Sequence, residues 1–161
     1  NVFNFGKKKN KGIEVGSPVK GKAVAISNVS DPTFGEEILG KGVAIMPAEG
    51  KIYAPADGKI EMLFDTMHAV SMITSEGVEI LIHIGLDTVA LKGEHFTAYK
   101  GNGDSVKKGE LLIEADMDAI KGAGYDVITP MVVCNTSDYQ TVEAVTGSDV
   151  NPGDTVLILK K

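Results

Sequence analysis

The chain has 161 residues, room for one compact domain or at most two small ones. Hydrophobic residues make up 43% and aromatics only 6%, with no Trp, which fits a globular core of Val, Ile, Leu and Ala and excludes a disordered or collagen-like chain. The net charge of −6 weighs against nucleic acid as a partner, and all 16 basic residues are Lys, so no guanidinium clamp on a phosphate can come from this chain.

Residues 1–13 read as a flexible basic tail or linker, and 14–161 as a single domain. In the tail, Lys7, Lys8, Lys9 and Lys11 stand beside Phe3 and Phe5. That composition suits a solvated segment, or a weak anchor on anionic lipid. From Glu14 onward short apolar runs are punctuated by Gly, Pro, Asn and Asp. Strands are expected at 19–27, 42–47, 51–53, 58–63, 67–74, 78–84, 111–115, 129–133, 139–144 and 155–159. Turn signals fall between them at the spacing of an all-β sandwich or barrel. One helix is expected at 117–123, stopped by Gly124, and 32–39 has room for a single turn. Two segments, Gly103-Asp-Ser-Val106-Lys-Lys-Gly109-Glu and Gly147-Ser-Asp-Val150-Asn-Pro-Gly153-Asp, share a frame. Either two hairpins share turn chemistry, or a β-motif is duplicated. The apolar runs are too short to cross a bilayer, and no signal peptide is read at the start. The single cysteine, Cys134, leaves no internal disulfide, so a cytoplasmic home is expected.

Chemistry concentrates in residues 64–92. They read as a hairpin turning at Ser75-Glu76-Gly77, in which Val78, Ile80, Ile82 and Ile84 alternate with Glu79, Leu81 and His83. A two- or four-residue loop would put His68 and His83 on one face of the sheet, about 5 Å apart or one diagonal step further. A three-residue loop would separate them. Two facing imidazoles can divide labour, one as nitrogen nucleophile and the other as N–H donor to the group transferred. Thr66, two residues before His68, could hold the donor's tautomer. The pair could also hold zinc, completed by a carboxylate or by a partner. His95 lies outside this pattern and reads as a loop residue, and Cys134, inside an apolar run, reads as packing. Gly35-Glu-Glu-Ile-Leu-Gly40-Lys41 imitates a phosphate loop, but Gly42 stands where a magnesium-ligating hydroxyl is needed.

The elements Gly42-Val-Ala-Ile-Met-Pro47, Ala54-Pro-Ala-Asp-Gly58, Thr66-Met-His68-Ala69, His83-Ile-Gly-Leu-Asp-Thr88-Val and Thr129-Pro-Met-Val-Val run in a familiar order. The chain resembles the glucose-family enzyme IIA component of the bacterial phosphoenolpyruvate-dependent sugar phosphotransferase system. The resemblance implies an antiparallel β-sandwich of Greek-key and jelly-roll type with very little helix. It implies that His83 carries the phosphoryl group on Nε2, that His68 supports it, and that Thr66 orients His68. It makes Asp31 and Asp87 flanking acids that meet a partner's basic side chain, and Phe34, Leu39 and Phe64 a docking collar. The implied function is a phosphocarrier that takes phosphate from phospho-HPr and passes it to a cysteine of a sugar-specific IIB domain of a IIC–IIB transporter. It would act as a cytoplasmic monomer meeting the inner face of the membrane only transiently. No cofactor is required in this reading, and zinc at His68 and His83 remains an added expectation. A regulatory binding module, a zinc peptidase and a biotinyl or lipoyl carrier are the competing classes. The second lacks its H-x-H ligand pair and the third its Lys at a hairpin tip.

Overall fold

The computed structural model describes residues 12–161, so the readings of the basic tail at residues 1–11 lie outside those described. Ile13, expected at the end of that tail, instead opens the first strand. The domain is built from short antiparallel strands: β1 (Ile13–Gly16), β2 (Gly21–Ala25), β3 (Lys41–Pro47), β4 (Lys51–Tyr53), β5 (Gly58–Leu63), β6 (Ala69–Thr74), β7 (Glu79–His83), β8 (Phe96–Ala98), β9 (Ser105–Val106), β10 (Leu111–Ala115), β11 (Thr129–Val133), β12 (Thr141–Ala144), β13 (Asp149–Val150) and β14 (Thr155–Lys160). Helix is confined to α1 (Pro32–Gly35), α2 (Met117–Gly122) and single 3-10 turns. An eight-stranded sheet runs in the order β13-β2-β3-β11-β7-β6-β5-β9, and two three-stranded sheets run β1-β14-β12 and β4-β10-β8. This is the expected antiparallel β-sandwich class.

Period-2 alternation divides the large sheet between two clusters. Val43, Ile45, Ile80, Ile82, Met131 and Val133 face the main core. Their neighbours Ala44, Leu81 and Val132 face a second cluster with Ile26, Val29, Phe34, Leu86 and Ile128. The segment leading into α1 therefore folds over the outer face of the sheet. It does so beside the end of β7, where His83 lies.

The shared frame of 103–110 and 147–154 is a structural duplication. Gly103 donates its N–H to Ile60 O (2.8 Å), as Gly147 does to Ala23 O (2.9 Å). Gly109 donates to Ala54 O and Gly153 to Ser17 O, both at 2.9 Å. Glu110 Oε1 accepts from Lys107 N, and Asp154 Oδ2 from Asn151 N. Ser105–Val106 pairs with Gly58 and Lys59, and Asp149–Val150 with Gly21 and Lys22. The two three-stranded sheets, each centred on the strand that follows the frame, complete the correspondence.

Most strand boundaries fall within two or three residues of those expected. β1, β8, β9 and β13 are additions, being too short to show a period. Cys134 is a correction. It sits one residue past β11 and is exposed, because the buried run ends at Val133.

Candidate phosphoryl-transfer site

His83 is the last residue of β7, and His68 immediately precedes β6. Between β5 and β6 the chain makes a tight turn. Met67 donates its N–H to Phe64 O (2.7 Å), Phe64 donates to Ala69 O (3.1 Å), and Met67 adopts a left-handed φ of 58°. Thr66 lies in this turn, with its Oγ1 2.5 Å from His68 Nδ1.

The hairpin turn is not of the length that the face-sharing argument required. Ala69 pairs with His83 and Ile73 with Glu79, and Thr74 donates its N–H to Val78 O. Ser75-Glu76-Gly77 is thus a three-residue loop, and in a continued ladder that register would place His68 and His83 on opposite faces. The rings nevertheless meet, with centroids 4.9 Å apart and planes at 82°. The ladder ends at the Ala69–His83 rung. His68 lies beyond it, just after the left-handed Met67, so the alternation does not govern its side chain.

Two more rings extend the contact. Phe34 tilts against His83 at 5.0 Å, and Phe64 meets His68 edge-on at 5.5 Å. Four rings therefore run in a row, Phe34, His83, His68 and Phe64, with the imidazoles in the middle. Burial pushes the pKa of His68 down to about 4, with the neighbouring His83 adding to the effect. Burial also lowers that of His83, against the opposing pull of the Gly85 carbonyl and of Asp31 and Asp87. Both rings are thus neutral near pH 7.

His83 Nδ1 lies 2.6 Å from Gly85 O. A carbonyl only accepts, so Nδ1 carries the hydrogen and Nε2 is left as a bare lone pair. Gly85 is needed for this turn. Its φ is +76°, and a Cβ there would lie 2.8 Å from Asp126 O and from Thr88 Cγ2.

The family described as phosphoenolpyruvate-dependent sugar phosphotransferase system, EIIA 1, matches residues 13–139. The chain belongs to this family. It is 43% identical over 159 residues to the glucose-specific EIIA component of Haemophilus influenzae, covering 98% of this chain and 96% of that protein. It is 45% identical over 135 residues to the β-glucoside-specific EIIBCA component of Dickeya chrysanthemi, where it spans 21% of a longer protein. The solved structure titled glucose permease IIA from Mycoplasma capricolum superposes with a TM-score of 0.87 at 36% identity, covering 94% of this chain and 97% of that one. As an EIIA component the chain is a phosphotransferase of the sugar phosphotransferase system, and its role there is that of a phosphocarrier.

The remaining expected residues fall in different places. Asp31 caps α1, its Oδ1 accepting from Thr33 N at 3.0 Å, and Asp87 is exposed in a left-handed conformation with φ 60°. Both are close enough to His83 to act on its charge, and neither joins an ion pair found among the described residues. Phe34 is a correction to the docking collar. It is only 4% exposed and forms a wall behind His83, because α1 turns its side chain into the second cluster. Leu39 is partly exposed, and Phe64 lines the depression beside Thr66 and His68. Met62 and Val89, 48% and 53% exposed, line that depression too, and Ile38 beside Leu39 is 70% exposed. Sequence reasoning passed over these three, since a single exposed apolar residue has no periodic signal. His95 is an exposed loop residue, as expected. Two imidazoles supply half of the four ligands zinc takes. Among the described residues, no group of three or more His, Cys, Asp and Glu could hold a metal. Nor is any helix there long and apolar enough to cross a membrane.

Proposed function

We propose that His83 is the phosphoryl acceptor, that phospho-HPr is its donor, and that a cysteine of a IIB domain is its recipient. The observation that carries this reading is the Nδ1–H bond from His83 to the Gly85 carbonyl, which leaves Nε2 unprotonated on a ring packed against that of His68. In the first step the Nε2 lone pair forms a P–N bond, the donor's P–N bond breaks, and the donor nitrogen keeps the electron pair. The Gly85 carbonyl stabilises the positive character that the His83 ring acquires. In the second step a thiolate attacks phosphorus, and His83 leaves as the neutral imidazole with its Nδ1–H in place.

His68 serves as the hydrogen-bond donor. If the Thr66 hydroxyl donates to Nδ1, the hydrogen of His68 resides on Nε2, available to a phosphoryl oxygen. A neutral donor steadies the phosphate without trapping it. A guanidinium in the transition state would come from the partner, since this chain has no Arg, and Asp31 and Asp87 attract it. Leu39 and Phe64, with Ile38, Met62 and Val89, form the apolar docking surface. Several EIIBCA relatives carry the matching segment within one longer chain, which supports a IIB recipient. The protein works on the cytoplasmic side of the membrane as a monomer. No cofactor takes part, and zinc at His68 and His83 would need its other ligands from a partner.

The test is a reconstituted relay with labelled phosphoenolpyruvate, enzyme I and HPr. Label should enter the chain only when HPr is present. A chain that stays unlabelled in the complete relay contradicts the reading.

A further inference from the structure

The turn after His83 has nearly every peptide group held. Ile84 donates its N–H to His68 O (2.7 Å), and Leu86 donates to Asp126 O (2.9 Å). Gly85 O accepts from His83 Nδ1. The remaining carbonyl, that of Ile84, accepts from the Thr88 hydroxyl at 2.6 Å. Thr88 is thus the one side chain, apart from His83 itself, that bonds to the backbone of this turn among the described residues. It is fully buried, and its methyl group would meet a Cβ at Gly85.

The Ile84 carbonyl and the Gly85 nitrogen belong to one planar peptide unit. Fixing that carbonyl fixes the plane from which the Gly85 carbonyl is set. Gly85 tolerates many backbone conformations, so its own φ does not choose the one that faces His83. The bond from Thr88 supplies that choice. It also closes the turn that carries Asp87 between the two residues it links.

We propose that Thr88 is a positioning residue for phosphoryl transfer: its buried hydroxyl, by holding the Ile84 carbonyl, keeps the Gly85 carbonyl on His83 Nδ1 and so keeps Nε2 free to accept phosphate. This rests on the reading of His83 as the acceptor. A threonine that merely satisfies its own hydrogen bond in the core would affect stability alone. A positioning threonine also affects which His83 nitrogen carries the hydrogen.

The experiment compares Thr88→Val, which keeps the shape and loses the donor, with Thr88→Ser, which keeps the donor and loses the methyl group. Long-range 15N–1H spectra of the unphosphorylated chain report the His83 tautomer without any relay partner. Phosphoryl uptake from HPr is measured on the same samples. Wild type and Thr88→Ser should show the Nδ1–H tautomer. Thr88→Val should show a mixture with the Nε2–H form and uptake slowed about tenfold, the scale of one lost hydrogen bond. Should the Val variant fail to fold, Thr88→Ala read against Thr88→Ser makes the same comparison. Unchanged tautomer and uptake in the donor-less variant overturns the proposal, as does a Ser variant impaired to the same degree. If wild type itself takes no phosphate on His83, the acceptor assignment fails instead, and the tautomer comparison still reads the role of Thr88.

Discussion

His68 and His83 are held by chemically different partners: Nδ1 of His68 faces a hydroxyl, Thr66 Oγ1, whereas Nδ1 of His83 faces a carbonyl, Gly85 O. The carbonyl leaves His83 no choice of tautomer. The hydroxyl leaves His68 free to expose an N–H toward its neighbour. Two identical side chains with centroids 4.9 Å apart thus become chemically distinct, one with a bare Nε2 and one able to present an N–H.

That division predicts how His68→Gln behaves. Glutamine retains an N–H of similar reach, so phospho-His83 should still form from HPr. Delivery to the IIB cysteine demands more of the donor, and should slow by about 10²–10³, the usual cost of one misplaced transition-state hydrogen bond. Single-turnover chases of labelled protein into IIB measure it. Delivery at the wild-type rate would remove His68 from the transfer step.

Asp31 and Asp87 should act through charge. Asn is as good a helix cap as Asp, so Asp31→Asn keeps the bond to Thr33 N and removes only the charge. The double variant Asp31→Asn, Asp87→Asn should associate with HPr more slowly, and its association rate should depend less on salt. Stopped-flow rates across a salt series check this. A salt slope equal to that of wild type would place the attraction elsewhere.

The lowered histidine pKa values fix the sign of a pH effect. Unfolded, His68 binds a proton below about pH 6.5; folded, it does so only near pH 4. Between those values the unfolded chain holds more protons, so stability should fall as pH is lowered from 6.5 toward 4, then level off with respect to this group. His83 is shifted the same way and adds to the slope. Urea midpoints taken across that window should show a shallower slope in His68→Gln than in wild type. An identical slope would mean that burial of His68 is not its source.

Gly85→Ala tests the turn itself. Alanine in a left-handed conformation costs about 1–2 kcal/mol before any clash is counted. A Cβ only 2.8 Å from Asp126 O forces the turn to move. The variant should unfold at lower urea and lose most of its phosphoryl uptake. Retention of full uptake would mean that the Gly85 carbonyl is dispensable.

The strands of the main sheet were legible because five or six residues suffice to show alternation. The two-residue β9 and β13 carry no such signal, and the repeated glycine frame that contains them did not mark them as strands. The meeting of His68 and His83 was not legible from parity. It depends on a left-handed Met67, and non-glycine residues seldom advertise that conformation. Phe34 looked like a surface residue because the sequence does not show that α1 folds back on the sheet. Thr66 was legible from its place two residues before His68, whereas Asp31 and Asp87 were read as partner-facing acids from the family pattern, since no local periodicity marks a group that acts across space. Gly85 stood in the same motif, yet its carbonyl, as a backbone group, leaves no trace in residue type.

The central claim is that phosphate resides on one nitrogen of one histidine. The chain, labelled with 15N in its histidines and phosphorylated through HPr, can be examined by phosphorus–nitrogen coupling together with peptide mapping under alkaline conditions. The account predicts a single phosphohistidine, at His83, bonded through Nε2, with Nδ1 still protonated. Phosphate on His68, or on Nδ1 of His83, would contradict it.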